Sequence, residues 1–479
     1  MNQLIVYDQP EGAIGNDDFA VSVRKPGGEW QPVFVFEAKV DMHNVRSASM
    51  AYFDMKGTVE VRVVSTKQSV HQAVIRPLSA NIAFQTESDA VTFVLDRPCK
   101  LSVEINGERF SNLHLFANPI ETSPPMPNGS GVLLVEQGKH DFPEISARLA
   151  SIPAPADGKN KAIYFAPGIH QFADPRLLIP SGTTVYLAGG SILYASIICR
   201  EAEHIVIRGR GLLYMGDMEK TTYLRGVQIQ FSKRIEVEGI IVLDPPHYSI
   251  YLGQSEHIRI RNFKAFSTRG WCDGIDMMAS SHVDIRDVFL RTSDDCIAIY
   301  GSRGDYYGDS RHIAVSASVL WADVAHAMHV GIHGDHQNNG DTVEEICFNN
   351  IDVLEHHEPQ ENYRGVMAIC AGDNNTVRNV TFKDIRVEDF ELGQLFDVRV
   401  VRNEKYNPVP GRRIENVVFS DIDYNGTNAN PSGIYGYDGE RGVDGVKFVN
   451  VRLNGEAVTD MESGNIRCNE FAYRIQFDF

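Results

Sequence analysis

No stretch of this 479-residue chain approaches the ~18 consecutive apolar residues that a membrane-spanning helix requires, so no membrane partner is expected. Positive charge is also short. Lys and Arg number 45 against 63 Asp and Glu, a formal net charge of −18. Phosphate backbones and anionic bilayers are held by clustered cations, which sets nucleic acid aside as a partner. The same deficit counts more weakly against a highly acidic polysaccharide, because a local patch overrides a global sum. The cysteines are few and odd in number, seven without paired spacing, which suits free thiols in a reducing compartment. Met1 to Gly12 contains Asp8 and Glu11 and lacks the basic and apolar regions of a secretory signal. A cytoplasmic location is the expectation, or secretion if a leader has been removed.

Short β-rich runs are what the chain does have. Leu4-Ile5-Val6-Tyr7, Val33-Phe34-Val35-Phe36, Val59 to Val64 and Val91 to Leu95 are β-branched or aromatic and bounded by turn formers. Leu101 to Ile105 alternates and meets Asn106-Gly107, a hairpin signal. Strands at this spacing predict a β-sandwich over residues 1–118. A Pro-, Ser- and Gly-rich stretch follows, so residues 119–135 are read as a linker and 136–479 as the second domain.

In that second domain one phrase recurs every two to three dozen residues. His204-Ile205-Val206-Ile207-Arg208-Gly209, Arg234-Ile235-Glu236-Val237-Glu238-Gly239 and His257-Ile258-Arg259-Ile260-Arg261-Asn262 are three copies. Further copies begin at His282, His312, Glu345, Val377, Ile414 and Val446. The period is that of a solenoid, each copy holds short alternating strands split by Gly, Asn or Asp, and ten-residue helical periodicity is hard to find. No leucine consensus or four-stranded blade is present. The expected fold class is therefore all-β, a right-handed parallel β-helix preceded by a smaller N-terminal β-sandwich, with coils ~4.8 Å apart. Tyr473 to Phe477 is expected as a last strand over the open end.

Acidic residues gather in the middle of the array: Asp273-Gly274-Ile275-Asp276, then Asp294-Asp295. Any one such residue is usually a turn former. As a set they lie one coil apart, and each motif runs into an apolar strand. Asp294 and Asp295 cannot both face out of a regular strand, so the pair is placed at a bend where one charge raises the other's pKa. One protonated carboxyl and one ionised carboxylate ~6.5–9.5 Å away are what hydrolysis of a glycosidic bond with inversion needs.

Cys272-Asp273-Gly274-Ile275-Asp276 and Ser293-Asp294-Asp295-Cys296-Ile297-Ala298-Ile299 resemble the two Asp motifs of glycoside hydrolase family 28, the polygalacturonases. Asp287-Val288-Phe289 through Tyr300, with Val319-Leu320-Trp321, is at least as similar to family 49, the dextranase and isopullulanase family, whose members also carry an N-terminal sandwich. The resemblance covers roughly residues 160–400. It implies an inverting glycoside hydrolase with Asp294 as general acid and Asp273 and Asp295 holding and activating water. Family 28 continues with Gly-His-Gly and then an Arg-Ile-Lys motif whose cations meet a uronate. Here Ala325-His326-Ala327 and Met367-Ala368-Ile369 stand in those places, without either cation. The expected substrate is thus a neutral α-linked glycan of dextran or pullulan type, with a pectin-type galacturonan as the alternative.

His326, His329, His333 and His336 give a spacing that invites a metal, but on a strand positions three apart face opposite sides. No metal and no cofactor are expected, and His326 is read instead as a sugar-binding group, with His329 and His333 beside it. Trp271, Tyr300, Tyr306 and Tyr307 are candidate stacking platforms for sugar rings. Asp276 and Arg364 complete the expected substrate contacts. A polysaccharide lyase and a non-catalytic carbohydrate-binding solenoid are the competing functions; the lyase needs a cation or a basic residue at a uronate, which this stretch lacks. The N-terminal sandwich could bind glycan, shape the groove or build a homo-oligomer.

Overall fold

The computed structural model describes residues 2–156 and 158–478. From Val132–Val135 to Ala472–Asp478 the chain winds as a parallel β-helix in which each strand pairs with its counterpart one coil on. The recurring sequence phrase is one wall of that helix. Ile205, Ile235, Ile258, Val283, Ile313 and Ile346 are paired in unbroken register and are buried. Their ladder lines an apolar core that runs the length of the solenoid. Inside it Phe348, Phe382, Phe419, Phe448 and Phe477 stack ring on ring, 5.0 to 5.2 Å between centroids. The residue opening each phrase (His204, His257, His282, His312) has a left-handed backbone, φ 55 to 59°, and is skipped in the strand register. That skip lets the small residue two places before it (Ala202, Ser255, Ser280, Ser310) and the apolar residue just after it both face inward.

Close stacking makes Gly209, at the end of one phrase, hard to replace. Its φ is +131°, and a Cβ there would lie 1.9 Å from the Leu187 carbonyl oxygen. Gly209→Ala is expected to lower stability by roughly 2–3 kcal/mol, read as a lowered midpoint in urea.

Residues 3–119 form two facing sheets. One contains Gln3–Ile5, Val35–Val40, Arg46–Lys56, Ala73–Arg76, Cys99–Ile105 and Leu113–Pro119; the other contains Phe19–Arg24, Gln31–Val33, Val59–Ser65, Phe84–Glu87 and Ala90–Leu95. Their inner faces share one core. Two expectations change in detail. Val33 to Phe36 is not one strand, because Val33 closes a strand of one sheet and Val35 opens a strand of the other. The Asn106-Gly107 turn forms, with both residues at positive φ, but it does not close a two-residue hairpin: Val103 pairs with Leu113. The Asn106 side chain binds Ser69, His71 and Gln72 and draws the turn away from the ladder.

The sandwich lies along the solenoid through an apolar seam that includes Met50, Tyr52, Phe116, Phe266, Phe289 and Trp321. Buried ion pairs and hydrogen bonds cross it. Arg210 holds Asp54 at 2.8 Å, Arg76 holds Glu388 at 2.6 Å, and Arg291 reaches Asn112 and His114. Phe142–Ser151 is the only α-helix among the described residues, and sequence periodicity did not announce it. It buries Phe142, Ile145 and Leu149 against the first coils of the core. No helix among the described residues is long and apolar enough to cross a membrane.

Candidate active site

The strands Ile250–Gly253, Ile275–Met278, Ile297–Tyr300 and Met328–Gly331 stack one above the next. The residue two positions ahead of each strand start is therefore also laddered. Those residues are Tyr248, Asp273, Asp295 and His326. The backbone confirms the stack: Ser249 N donates to Asp273 O, Gly274 N to Asp295 O and Cys296 N to His326 O. Asp273 and Asp295 are thus equivalent residues of adjacent coils, and Asp294 reaches the same spot from the turn before. One oxygen from each of the three carboxyls lies within 4.8 Å of the other two. This is closer than the ~6.5–9.5 Å expected from the sequence, because the two coils are in register with no sideways offset.

The three carboxyls carry different charges. Both oxygens of Asp295 are bound from behind: Oδ1 accepts from His326 N at 3.0 Å and lies 2.7 Å from His326 Nδ1, while Oδ2 lies 2.9 Å from His329 Nδ1. Burial pushes the Asp295 pKa up, but attraction to the two imidazoles outweighs it and holds the carboxyl well below its usual range. Asp294 accepts from Trp271 N and Asp295 N, both at 3.1 Å. Burial, then the neighbouring Asp295 charge, lifts Asp294 to about 7. Asp273 is raised by burial and then by Asp276, and Asp276 is raised by burial. Near neutral pH the site therefore sets an acid, Asp294, beside an ionised carboxylate, Asp295.

His326 is the counter-charge. Its Nδ1 faces Asp295 and its Nε2 lies 2.8 Å from the Tyr363 carbonyl oxygen, so both nitrogens donate and the ring is an imidazolium. Burial lowers its pKa, yet Asp295 wins and raises it to about 9. His329 is held down by burial, stays neutral and donates through Nδ1. The expectation that His326 and His329 face opposite sides fails for a local reason. Ala325 turns through φ 66°, so His326 precedes the strand, and both rings reach Asp295 while stacking on each other, centroids 4.5 Å apart. Asp295, His326 and His329 have metal-like spacing, but these contacts are hydrogen bonds between the three. The group facing open space is Asp273, Asp294 and Asp295.

These carboxyls open into a cavity of about 440 Å³. Of the residues expected to contact substrate, Trp271, Tyr300 and His333 line it; Trp271 is 55% exposed. Asp276, His326 and His329 do not, being fully buried behind the wall, where they set the charge of the residues in front. Tyr306 is not a platform either: its hydroxyl is tied to Tyr251 and Gln230 at 2.6 and 2.8 Å. Tyr307 is exposed but lines a neighbouring cavity. Arg364 is spent on the Pro359 carbonyl. The sequence reading missed Tyr248, Arg303, Glu358, Tyr363, Lys405 and Tyr406, all on the cavity wall. Tyr248 alone had a signal, standing one coil before Asp273 at the same offset. The Arg303 guanidinium is one-third exposed, 3.8 Å from Asp276, lies over the Tyr300 ring, and makes no hydrogen bond with the described residues.

Several known proteins are similar to this chain. A probable endo-xylogalacturonan hydrolase A from Aspergillus fumigatus is 26% identical over 212 residues, 42% of this chain and 48% of that protein. A polygalacturonase from Juniperus ashei is 23% identical over 48% of this chain and 45% of its own length. The chain thus spans about half the length of the curated relatives it matches. Among solved structures, Dex49A from Penicillium minioluteum shares the fold over 98% of this chain and 96% of its own, at 16% identity and a TM-score of 0.66. A hyperthermoactive exopolygalacturonase from Thermotoga maritima covers 74% of this chain and 93% of its own, at 14% identity and a TM-score of 0.54. The family model described as glycosyl hydrolases family 28 matches residues 214–472, more than half of the sequence and the whole of the carboxylate ladder, so the chain belongs to that family.

Proposed function

We propose that this protein hydrolyses an α-linked glycan with inversion at the anomeric carbon. The observation that carries the reading is the split between Asp294, held protonated to about 7, and Asp295, held ionised by two histidines. Asp294 gives its proton to the glycosidic oxygen as the bond to the anomeric carbon breaks. A water between Asp273 and Asp295 bonds to that carbon from the other side, and Asp295 takes its proton. Two water hydrogen bonds of about 2.8 Å at a near-tetrahedral angle span roughly 4.5 Å, which suits carboxyls this close. Three donors already occupy the Asp295 oxygens. That leaves one lone-pair direction, on Oδ2, to receive the proton of the water.

For the substrate we infer a glycan carrying carboxylates. Arg303 and Lys405 reach the cavity wall from loops, supplying cations that the strand beneath does not. Met367 and Ile369 belong to the core, while Ala368 and Cys370 pack as uncharged residues in the cluster that holds Tyr300 and Tyr363 of the cavity wall. Those two residues favour a second reading, a neutral α-glucan. Proton NMR of the first product decides both points across polygalacturonate, xylogalacturonan, dextran and pullulan. Galacturonan cleavage with initial release of the inverted anomer is expected, with Arg303→Met lowering kcat/KM about tenfold or more. Retained configuration would remove the inverting mechanism, and cleavage of dextran or pullulan alone would establish the neutral reading.

A further inference from the structure

Beside the catalytic cavity lies a second one, of about 340 Å³. The two share Arg303, His333 and Tyr406 as a common wall. The second cavity lies across the solenoid, at the far ends of the strands whose near ends carry the carboxylates; its walls are the turns after Ile297–Tyr300, Met328–Gly331 and Gly365–Ala371. We propose that it seats a neutral pyranose branch, carried by the backbone sugar that occupies the catalytic cavity. The inference rests on the reading of that main cavity as a glycan site.

Two features of the walls point to a sugar ring. Asp373 is 3% exposed. Its Oδ2 accepts from Gly334 N at 3.3 Å, while Oδ1 is buried with no hydrogen-bond partner among the described residues. A buried carboxylate oxygen without a donor is costly, and a ring hydroxyl supplies one. Tyr307 lines the same cavity as its flat surface: the residue is 65% exposed, on a backbone anchored by its own N–H to Gln254 Oε1 at 3.0 Å. Aromatic faces of this kind take the C–H face of a pyranose. The charges select a neutral branch. Beyond the shared wall the ionisable lining is His336, Asp335 and Asp373, and its two carboxyls disfavour a uronate and accept from hydroxyls. Asp335 is already taken up by Gln337 and Asn338, which leaves Asp373 as the polar anchor.

Two measurements test the proposal on the full chain. In saturation-transfer NMR, methyl β-xylopyranoside is expected to contact the protein, and Tyr307→Ala and Asp373→Asn each to weaken that contact at unchanged melting temperature. In hydrolysis, kcat/KM for a xylosyl-branched galacturonan over its unbranched counterpart is expected to fall about tenfold in either variant. Absence of saturation transfer in the parent protein overturns the pocket, as does a branched-to-unbranched ratio unmoved by both substitutions. Failure of the parent to cleave either polymer counts against the galacturonan reading of the main cavity instead, and the NMR arm still decides the pocket.

Discussion

Asp294→Asn is expected to lower kcat by about 10²–10⁴-fold, the usual contribution of a positioned general acid, while leaving the unfolding midpoint close to that of the parent. The substitution removes the transferable proton and little else. An amide oxygen at the same place still accepts from Trp271 N or Asp295 N, so the turn keeps its shape. The loss should depend on the leaving group: a dinitrophenyl glycoside needs no protonation and should be cleaved far less impaired than a natural linkage. The pH profile carries the same signature. Asp294 in the free protein titrates at about 7, so kcat/KM of the parent should fall as pH rises through that value. The fall at low pH belongs to Asp295, whose pKa is depressed. A parent profile that stays flat between pH 6 and 8 would assign the proton to another group.

Much of this was legible in the sequence, for a physical reason. A parallel β-helix repeats its environment at each coil, so Ile205, Ile235, Ile258 and Val283 had to look alike, and the repeat is visible without coordinates. The same regularity placed Asp273 one coil from Asp295. What escaped is what the repeat does not govern. Arg303, Glu358 and Lys405 sit in turns of unequal length, and a loop's path depends on contacts far away in sequence. The turn at Ala325 swung His326 behind Asp295 rather than toward the sugar, which strand alternation alone could not show. Phe142–Ser151 was hidden because ten residues with Pro at the helix start give few apolar positions to count. The cations on the cavity wall escaped because the strand residues Ala368 and Cys370 carry no charge, and Arg303 and Lys405 come from loops.

His326→Ala is expected to cost about 3–5 kcal/mol of stability, the penalty for leaving a buried carboxylate without its counter-ion. Both side chains lie at or near zero exposure, 0% for His326 and 5% for Asp295, so water does not replace the lost partner. The pH dependence separates this from loss of packing. The folded pKa of His326 is about 9 against an ordinary 6.5, so its contribution is full below 6.5 and is lost as pH rises through 9. Asp295 lies below its ordinary 3.8; its contribution is present above 3.8 and is lost as pH falls through the depressed value. The parent should thus outlast His326→Ala most between pH 4 and 6.5, with the gap closing toward pH 9 and beyond. Catalysis moves with it, because Asp295 deprived of the imidazolium is harder to ionise and the acidic limb of the rate profile should shift upward. A double-mutant cycle with Asp295→Asn isolates the pair. If the single losses simply add, the two groups are not coupled, and the charge separation that makes Asp294 an acid must come from elsewhere.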